Sequence, residues 1–110
     1  MKITKAQWEA KGRELFGGDM AAWVFVCPSC GNEMSVAKAR QMFAAELPRL
    51  RAGGFSVEAE CIGRHVPGVG CDWAAFGLLA GPLFVDGTPA FDFAGRPFTE
   101  AAGAREGAAL

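Results

Sequence analysis

Apolar and polar residues at the start of the chain follow the spacing of a capped helix. Thr4 followed by Gln7 has the form of a capping box, in which each side chain bonds the backbone amide of the other residue. The pattern predicts a helix over residues 5–16. Because Trp8 and Leu15 are seven residues apart, they share one face of that helix. We expect this face to pack on the rest of the domain as an amphipathic lid.

The next segment predicts two short strands and a second helix. Residues 23–26 form a β-prone run, and residues 33–35 are suited to a returning strand. Ser35 is a good N-cap. Beyond it, apolar residues spaced three, four and four apart mark one helix face: Val36, Ala39, Phe43 and Leu47. We expect Pro48 to end this helix, because proline lacks the amide that would continue the hydrogen-bond ladder.

The second half of the chain carries shorter apolar runs separated by glycine. Residues 55–60 alternate partly between apolar and polar, and residues 72–79 are mostly apolar, so both predict strands. Residues 83–85 and 90–93 flank an Asp-Gly pair at residues 86–87. Asp-Gly favours a type I′ turn, so this segment predicts a β-hairpin.

Length and composition limit the architecture. A chain of 110 residues, 51% of them hydrophobic, fits one domain, which we place at residues 1–95. Residues 96–110 lack periodicity and predict a flexible C-terminal tail. The first residues lack the apolar run of a signal peptide, and the apolar stretch at residues 73–85 is too short to cross a bilayer. We therefore expect a cytoplasmic protein with no membrane partner.

The cysteines are the residues with the clearest chemical meaning. Thiols stay reduced in the cytoplasm, so the four cysteines favour a metal site over disulfides. Cys27 and Cys30 are separated by two residues, which lets one turn hold one metal ion. Cys61 and Cys71 supply the second pair, although nine residues separate them. His65 is the alternative fourth ligand in place of Cys71. The prediction is one structural Zn²⁺ ion.

Two other interpretations of the cysteines compete with the zinc site. In the first interpretation, the four cysteines are buried apolar residues that bind no metal. The other is a thioredoxin-like thiol oxidoreductase, since Cys27 begins a Cys-Pro-x-Cys motif and residues 87–91 resemble the cis-proline strand of that fold. Against the redox interpretation, the helix cap at Ser35 lies too far from Cys27 for the helix dipole to lower its pKa. A site closed by four cysteines leaves no position for a catalytic water, so we expect no enzymatic activity.

Charge argues against a partner that is held by phosphate contacts. Eleven basic and twelve acidic residues give a net charge of −1, whereas nucleic-acid-binding domains normally show a basic excess. Arg49, Arg51 and Arg64 are the candidate partner-binding residues. They do not form one stripe with Lys38 and Arg40, which favours a solvated face over a phosphate-binding surface. Nucleic acid stays an alternative partner.

Four short motifs resemble a family of small uncharacterised proteins that are frequent in phage and prophage genomes. They are Phe25-Val-Cys-Pro-Ser-Cys-Gly31, Glu60-Cys-Ile-Gly-Arg64, Cys71-Asp-Trp-Ala-Ala75 and Phe91-Asp-Phe-Ala94. The resemblance covers residues 3–95 and implies that the second pair of cysteines completes the metal site. The chain departs from the family in a shorter loop between that pair, a longer helix after the first pair and a tail rich in Gly and Ala.

Together these patterns predict an α+β, zinc-ribbon-like domain. It has an N-terminal helix, one helix between the two cysteine pairs and a C-terminal β-hairpin. With the setting that the resemblance implies, we expect a phage or prophage adaptor or inhibitor in the cytoplasm of a bacterial host cell. Its expected partner is a host or phage protein complex, such as defence machinery or RNA polymerase.

Overall fold

The computed structural model of the chain describes residues 1–78 and 80–99. Within these ranges the chain forms three α-helices and two small sheets, which confirms the α+β class. The elements are β1 Lys2–Ile3, α1 Lys5–Phe16, β2 Phe25–Val26, β3 Glu33–Met34, α2 Val36–Met42, α3 Leu47–Ala52, β4 Leu83–Val85, β5 Thr88–Ala90 and β6 Asp92–Phe93. None of the described helices combines the length and the apolar character that a bilayer crossing requires.

Helix α1 begins at the predicted capping box. Thr4 Oγ1 accepts a hydrogen bond from the Gln7 amide at 3.1 Å, and Gln7 Oε1 accepts one from the Thr4 amide at 2.8 Å. These bonds satisfy two amides that an uncapped helix would leave without partners. The prediction of a helix over residues 5–16 is confirmed.

The buried face of α1 differs from the predicted one. Leu15 is 42% exposed, whereas Gly12 is buried. The helix packs through Trp8, Gly12 and Phe16, which are spaced four residues apart. Gly12 lies directly on the ring of Trp23, where a side chain would collide with the indole. A hydrophobic pattern does not register a glycine contact, which is why the sequence assigned Leu15 to this face.

An aromatic cluster forms the core between α1 and the sheet with strand order β3–β2–β6. Phe25 on β2 pairs across the sheet with Phe93 on β6, and their ring centroids are 5.1 Å apart. Trp8 and Trp23 complete the cluster, each within 6.0 Å of the Phe93 ring. This cluster fixes β2, and with it the start of the first cysteine turn.

Two helices, and not one, separate the cysteine pairs. Helix α2 begins after Ser35, whose Oγ accepts the Lys38 amide at 3.0 Å, as predicted. It ends at Met42, and α3 then begins with Pro48 in its first turn. The prediction that Pro48 ends a helix is wrong. Amides in the first turn of a helix have no partner within it, so proline costs nothing there and its fixed φ favours a start.

Within the described residues 55–60 and 72–78, the predicted strands do not form. Residues 57–59 make a turn, in which the amides of Ala59 and Glu60 donate to Ser56 O. Between the two segments there is a single antiparallel bridge, Glu60 with Ala74. Glu60 is 8% exposed, so alternation of apolar and polar residues does not separate core from solvent here. Residue 79 lies outside the described residues.

The predicted hairpin is present in a shorter form. Strands β4 and β5 are antiparallel, and the two turn residues have positive φ, 47° at Asp86 and 84° at Gly87, as a type I′ turn requires. The hairpin ends at Ala90, and β6 crosses to the other sheet, where it pairs with β2. Strand β1 adds to β4 in parallel, with Lys2 opposite Phe84.

The predicted tail starts at residue 96, and residues 96–99 are in contact with the domain. The buried carboxylate of Asp92 accepts hydrogen bonds from the amides of Phe98 and Thr99 and from Thr99 Oγ1, at 3.2, 2.7 and 2.7 Å. The Phe98 ring lies 6.4 Å from that of Phe93. Residues 100–110, the remainder of the predicted tail, lie outside the described residues.

Candidate metal centre

The first cysteine pair lies in the turn between β2 and β3. The amide of Cys27 donates to Asn32 O and that of Gly31 donates to Cys27 O, each at 2.9 Å. The amide of Asn32 also points at Cys30 Sγ, 3.4 Å away. Backbone amides directed at sulfur stabilise a thiolate, so the turn is suited to hold metal-bound sulfur. Helix α2 begins at Val36, after β3, and not at the cysteine turn.

The second pair is held by a loop whose ends approach each other closely. The amide of Cys61 donates to Trp73 O at 3.0 Å, and the amide of Cys71 points at Cys61 Sγ, 3.2 Å away. Gly63 and Gly70 allow this approach. A Cβ at Gly63 would collide with the backbone of Cys71, and one at Gly70 would lie 2.5 Å from Cys61 Sγ. The nine residues between these cysteines thus act as a closed loop that presents both sulfurs on one side.

The fold brings all four cysteines together. Their sulfur atoms lie within 4.8 Å of one another. The Sγ atoms of Cys27 and Cys71 are 3.7 Å apart, as are those of Cys30 and Cys61. A tetrahedral ion with metal–sulfur bonds of about 2.3 Å places its sulfurs about 3.8 Å apart. The cluster therefore has the dimensions of a site for one tetrahedral metal ion, and each close pair joins one half of the site to the other.

Burial differs among the four cysteines. Cys27 and Cys61 are buried, Cys71 is partly buried and Cys30 is exposed. The metal position is thus lined by the core on one side and open to solvent near Cys30. An ion held there would connect the turn after β2 with the loop at residues 61–71, two segments that share no strand pairing among the described residues.

The thiols also perturb one another's pKa values. Burial raises the pKa of Cys27 from 9.0 to about 12, and burial likewise raises the pKa of Cys30. Burial acts upward on Cys71 too, but hydrogen bonds from the Trp73 amide and from the other three thiols outweigh it and lower the pKa of Cys71. The pKa of Cys71 is thus shifted towards the thiolate, whereas those of Cys27 and Cys30 are shifted towards the thiol. A cation would favour the thiolates, so its binding releases protons.

His65, the alternative fourth ligand, is not one of the residues in the cluster. Its Nε2 atom is 3.0 Å from Glu60 Oε1, and its ring packs edge-on against Phe55 with centroids 5.4 Å apart. Arg64 Nε donates to the same Glu60 oxygen at 3.2 Å. The structure therefore places His65 beside a carboxylate, within the loop at residues 61–71.

Glu60 organises the surroundings of the centre, a role that none of the sequence patterns above assigns to it. Besides Arg64 and His65, it binds the amide of Ser56 through Oε2 at 3.3 Å. The signal was the spacing, since Arg64 and His65 follow Glu60 by four and five residues. On a chain that turns after Cys61, that spacing brings both side chains back to the carboxylate.

The three candidate partner-binding arginines lie on two elements. Arg64 belongs to the 3₁₀ helix Ile62–Arg64, where it donates to Asp72 O at 3.0 Å and lies 5.6 Å from the centre of the Phe76 ring. Arg49 and Arg51 belong to α3. Arg51, with Arg40, borders a groove between α2 and α3.

Comparison with known proteins identifies a family. The search of curated proteins and the search of solved structures gave no match. The VVA0879-like family model matches residues 4–94, a range that begins at the cap of α1, includes all four cysteines and ends just after β6. The chain belongs to the VVA0879-like family.

Proposed function

We propose that this protein is a small interaction module, stabilised by one zinc ion, that acts by binding another protein. The observation that carries the proposal is the cluster of four cysteine sulfurs within 4.8 Å. When all four bind one ion, the coordination shell is complete and has no position for water or substrate. A site of that kind supports structure and not catalysis.

Zinc is the metal that fits the donor set best. Thiolates are soft ligands, and a tetrahedral arrangement of four sulfurs is typical of zinc or of iron bound by cysteine. Zinc needs no redox partner and accepts the cysteine knuckle geometry of structural ribbons. The proposal therefore includes a zinc-ribbon-like role for the two cysteine turns.

The ion is expected to supply a large part of the stability. Zinc binding to structural sites has an apparent free energy of about 10–16 kcal/mol at neutral pH. A domain of this length has a total stability of roughly 5–15 kcal/mol. In the described residues 35–71, which lead to Cys71, the strand pairing is limited to the single bridge of Glu60 with Ala74. We thus expect the metal to fix the surface that this segment presents.

The proposed setting is that of a phage or prophage protein acting on a host or phage complex. It rests on the resemblance described above. Defence machinery and RNA polymerase are the proposed classes of target. The near-zero net charge of −1 supports a protein partner, because phosphate-driven binding favours a basic excess.

Native mass spectrometry tests the metal. The expected result is one zinc ion per chain, with loss of the ion in Cys30→Ser. Ser29→Ala is the matched control, because Ser29 is the exposed neighbour of Cys30 in the same turn. A reduced, folded protein that carries no metal and whose melting curve a strong chelator leaves unchanged would refute the zinc site.

Affinity purification from host lysate tests the interaction. Tagged, zinc-loaded protein should retain the same partner in repeated experiments, and the Cys30→Ser variant should lose it while Ser29→Ala keeps it. If zinc-loaded protein repeatedly retains no protein above background, the interaction role is wrong even if the zinc site is present.

Nucleic-acid binding is the second candidate, and one contact favours it. Phe76 is 50% exposed, and the guanidinium of Arg64 lies 5.6 Å from its ring centre. An exposed aromatic ring beside an arginine can stack on a base and contact a phosphate. Filter binding of DNA and RNA over a salt series tests this candidate, which fails if no salt-dependent retention is seen.

A further inference from the structure

A groove between α2, α3 and the turn at residues 55–58 is not part of the metal centre. Its volume is about 190 Å³. The floor consists of buried apolar residues, the walls of partly buried ones, and the rim of charged side chains. The floor residues are Ala39, Leu50 and Val57, and the wall residues are Val36, Leu47 and Phe55. The rim residues are Arg40, Arg51 and Glu58.

The size of the groove indicates what it can hold. Small-molecule pockets usually measure about 300–1,000 Å³, so 190 Å³ is small for a metabolite or drug-sized ligand. It is suited to one large apolar side chain. Anchoring side chains of a partner protein commonly fill pockets of this kind, with a polar rim around them.

Charge indicates what surrounds that side chain. Residues 36–52, which contain both helices, carry four basic residues and one acidic residue, a net charge of +3. The rest of the chain has seven basic and eleven acidic residues. Within residues 1–78 and 80–99, no carboxylate forms an ion pair with Arg40 or Arg51. The two rim guanidiniums are exposed and available to a partner, and Glu58 is the one acidic side chain among the lining residues.

We propose that this groove binds an acidic segment of another protein, which inserts one large apolar side chain between α2 and α3 and places carboxylates on Arg40 and Arg51. Arginine forms paired hydrogen bonds with carboxylates, and the apolar walls supply burial. This inference names the partner chemistry of the interaction module described above and rests on that proposed function.

The lining favours a protein over a nucleic acid. Base stacking needs an exposed aromatic ring, but the only aromatic residue in this lining, Phe55, is partly buried and packs against His65. Two arginines at an apolar groove also provide fewer phosphate contacts than nucleic-acid binding commonly uses.

The groove is connected to the metal centre through the backbone. The Ser56 amide donates to Glu60 Oε2 at 3.3 Å, directly before the ligand Cys61, and the Phe55 amide donates to Leu50 O at 3.0 Å. An ion that fixes Cys61 therefore also holds the turn that forms one wall. Docking should need the metal-loaded protein.

Fluorescence anisotropy with a designed probe tests the inference. The probe is a fluorescein-labelled peptide with one phenylalanine between acidic residues, titrated with zinc-loaded full-length protein. We expect saturable binding that weakens about tenfold or more in the Arg40→Glu/Arg51→Glu double variant. The same loss is expected when the probe's phenylalanine is replaced by alanine. A probe with lysines in place of the acidic residues should not bind.

The matched control changes the same amount of charge elsewhere. Lys11→Glu/Arg13→Glu lies on α1 and breaks only two surface ion pairs, with Glu14 and Glu9, which contribute little to stability. It should bind the probe about as well as the unchanged protein. Equal loss in the control, equal binding of the alanine probe, or no binding in the millimolar range would each overturn the inference.

Other occupants give different results. Competition by an oligothymidine of about twenty nucleotides at the probe site would replace the inference with nucleic-acid binding. A dimer in analytical ultracentrifugation that the Arg40→Glu/Arg51→Glu variant dissociates would replace it with self-association. If only the groove inference is wrong, zinc-loaded protein should still capture a partner in the affinity purification. The Arg40→Glu/Arg51→Glu variant should then capture that partner equally well. If the interaction role fails, that capture is absent with every variant.

Discussion

Replacing Gly70 by alanine tests the metal centre without changing a ligand. Gly70 has a φ of +61°, and a Cβ at this position would lie 2.5 Å from Cys61 Sγ. Gly68, two residues earlier in the same loop, has a φ of +84° and no heavy atom within 4 Å of its Cβ position. Both variants place an alanine in the left-handed region and so share the same backbone cost in stability. Only Gly70→Ala also brings a Cβ atom into close contact with Cys61 Sγ.

The structure indicates how far the two variants should differ in stability. An alanine in the left-handed region costs roughly 1–2 kcal/mol, and both variants pay this. A 2.5 Å contact is about 1 Å shorter than ordinary van der Waals contact, and overpacking of this kind costs about 1–3 kcal/mol more. Cys61 Sγ would have to move by a distance well above the roughly 0.2 Å that metal–ligand bonds tolerate. Gly70→Ala should therefore lose metal affinity as well as stability.

Two measurements on the zinc-loaded proteins decide the matter. Thermal unfolding followed by circular dichroism should show Gly70→Ala melting at least about 4 °C below Gly68→Ala. Competition with a zinc chelator should show weaker zinc binding in Gly70→Ala and normal binding in Gly68→Ala. If the two variants have the same melting temperature and the same zinc affinity, the close approach of Gly70 to Cys61 is wrong, and with it the described geometry of the loop.

Three further predictions concern other parts of the molecule. Gly12→Ala should destabilise by about 1–3 kcal/mol in urea unfolding, although alanine favours helix, because its Cβ would lie 2.6 Å from the Trp23 ring. Asp92→Ala should cost about 3 kcal/mol in the same assay, since three donors at residues 98–99 lose their acceptor. Zinc affinity, measured by chelator competition, should fall at least about a hundredfold per unit decrease in pH near neutrality, because the raised pKa values of Cys27 and Cys30 make each of these two thiols release a proton on binding.

Each of these predictions has an outcome that contradicts it. Gly18→Ala, at a position with no neighbour within 4 Å, is the control for Gly12→Ala; equal effects would show that the contact with Trp23 is absent. An Asp92→Ala variant with unchanged stability would mean that residues 98–99 do not rely on this carboxylate. A zinc affinity that stays constant as pH falls would contradict protonated thiols at Cys27 and Cys30.

Local signals in the sequence predicted the parts of the fold that depend on neighbouring residues. The capping box at Thr4, the N-cap at Ser35 and the Asp-Gly turn at residues 86–87 each act within a few residues, and all three are present. One error, the assignment of Leu15 to the buried face of α1, came where a distant contact decides. Gly12 packs because Trp23 lies above it, and no helical pattern contains that information.

The candidate site shows the same division. Cys27 and Cys30 lie in the same turn with two residues between them, so their spacing alone indicated that they share a metal ion. The role of Glu60 was missed, because its burial depends on Arg64 and His65 folding back onto it. His65 contacts the Glu60 carboxylate because of the same turn. The spacing of metal ligands in the sequence does not predict this contact.

The two cysteine pairs differ in what holds them, and this difference would give a metal ion bound by both pairs its structural importance. The first pair follows β2, which is paired on both sides and anchored by the aromatic cluster around Phe93. The second pair belongs to a loop whose strand-like support is the single bridge of Glu60 with Ala74. An ion shared by both pairs transfers the rigidity of the first to the second. With an ion bound by both pairs, the turn at residues 55–58, which borders the groove, would share this rigidity because it leads into Cys61.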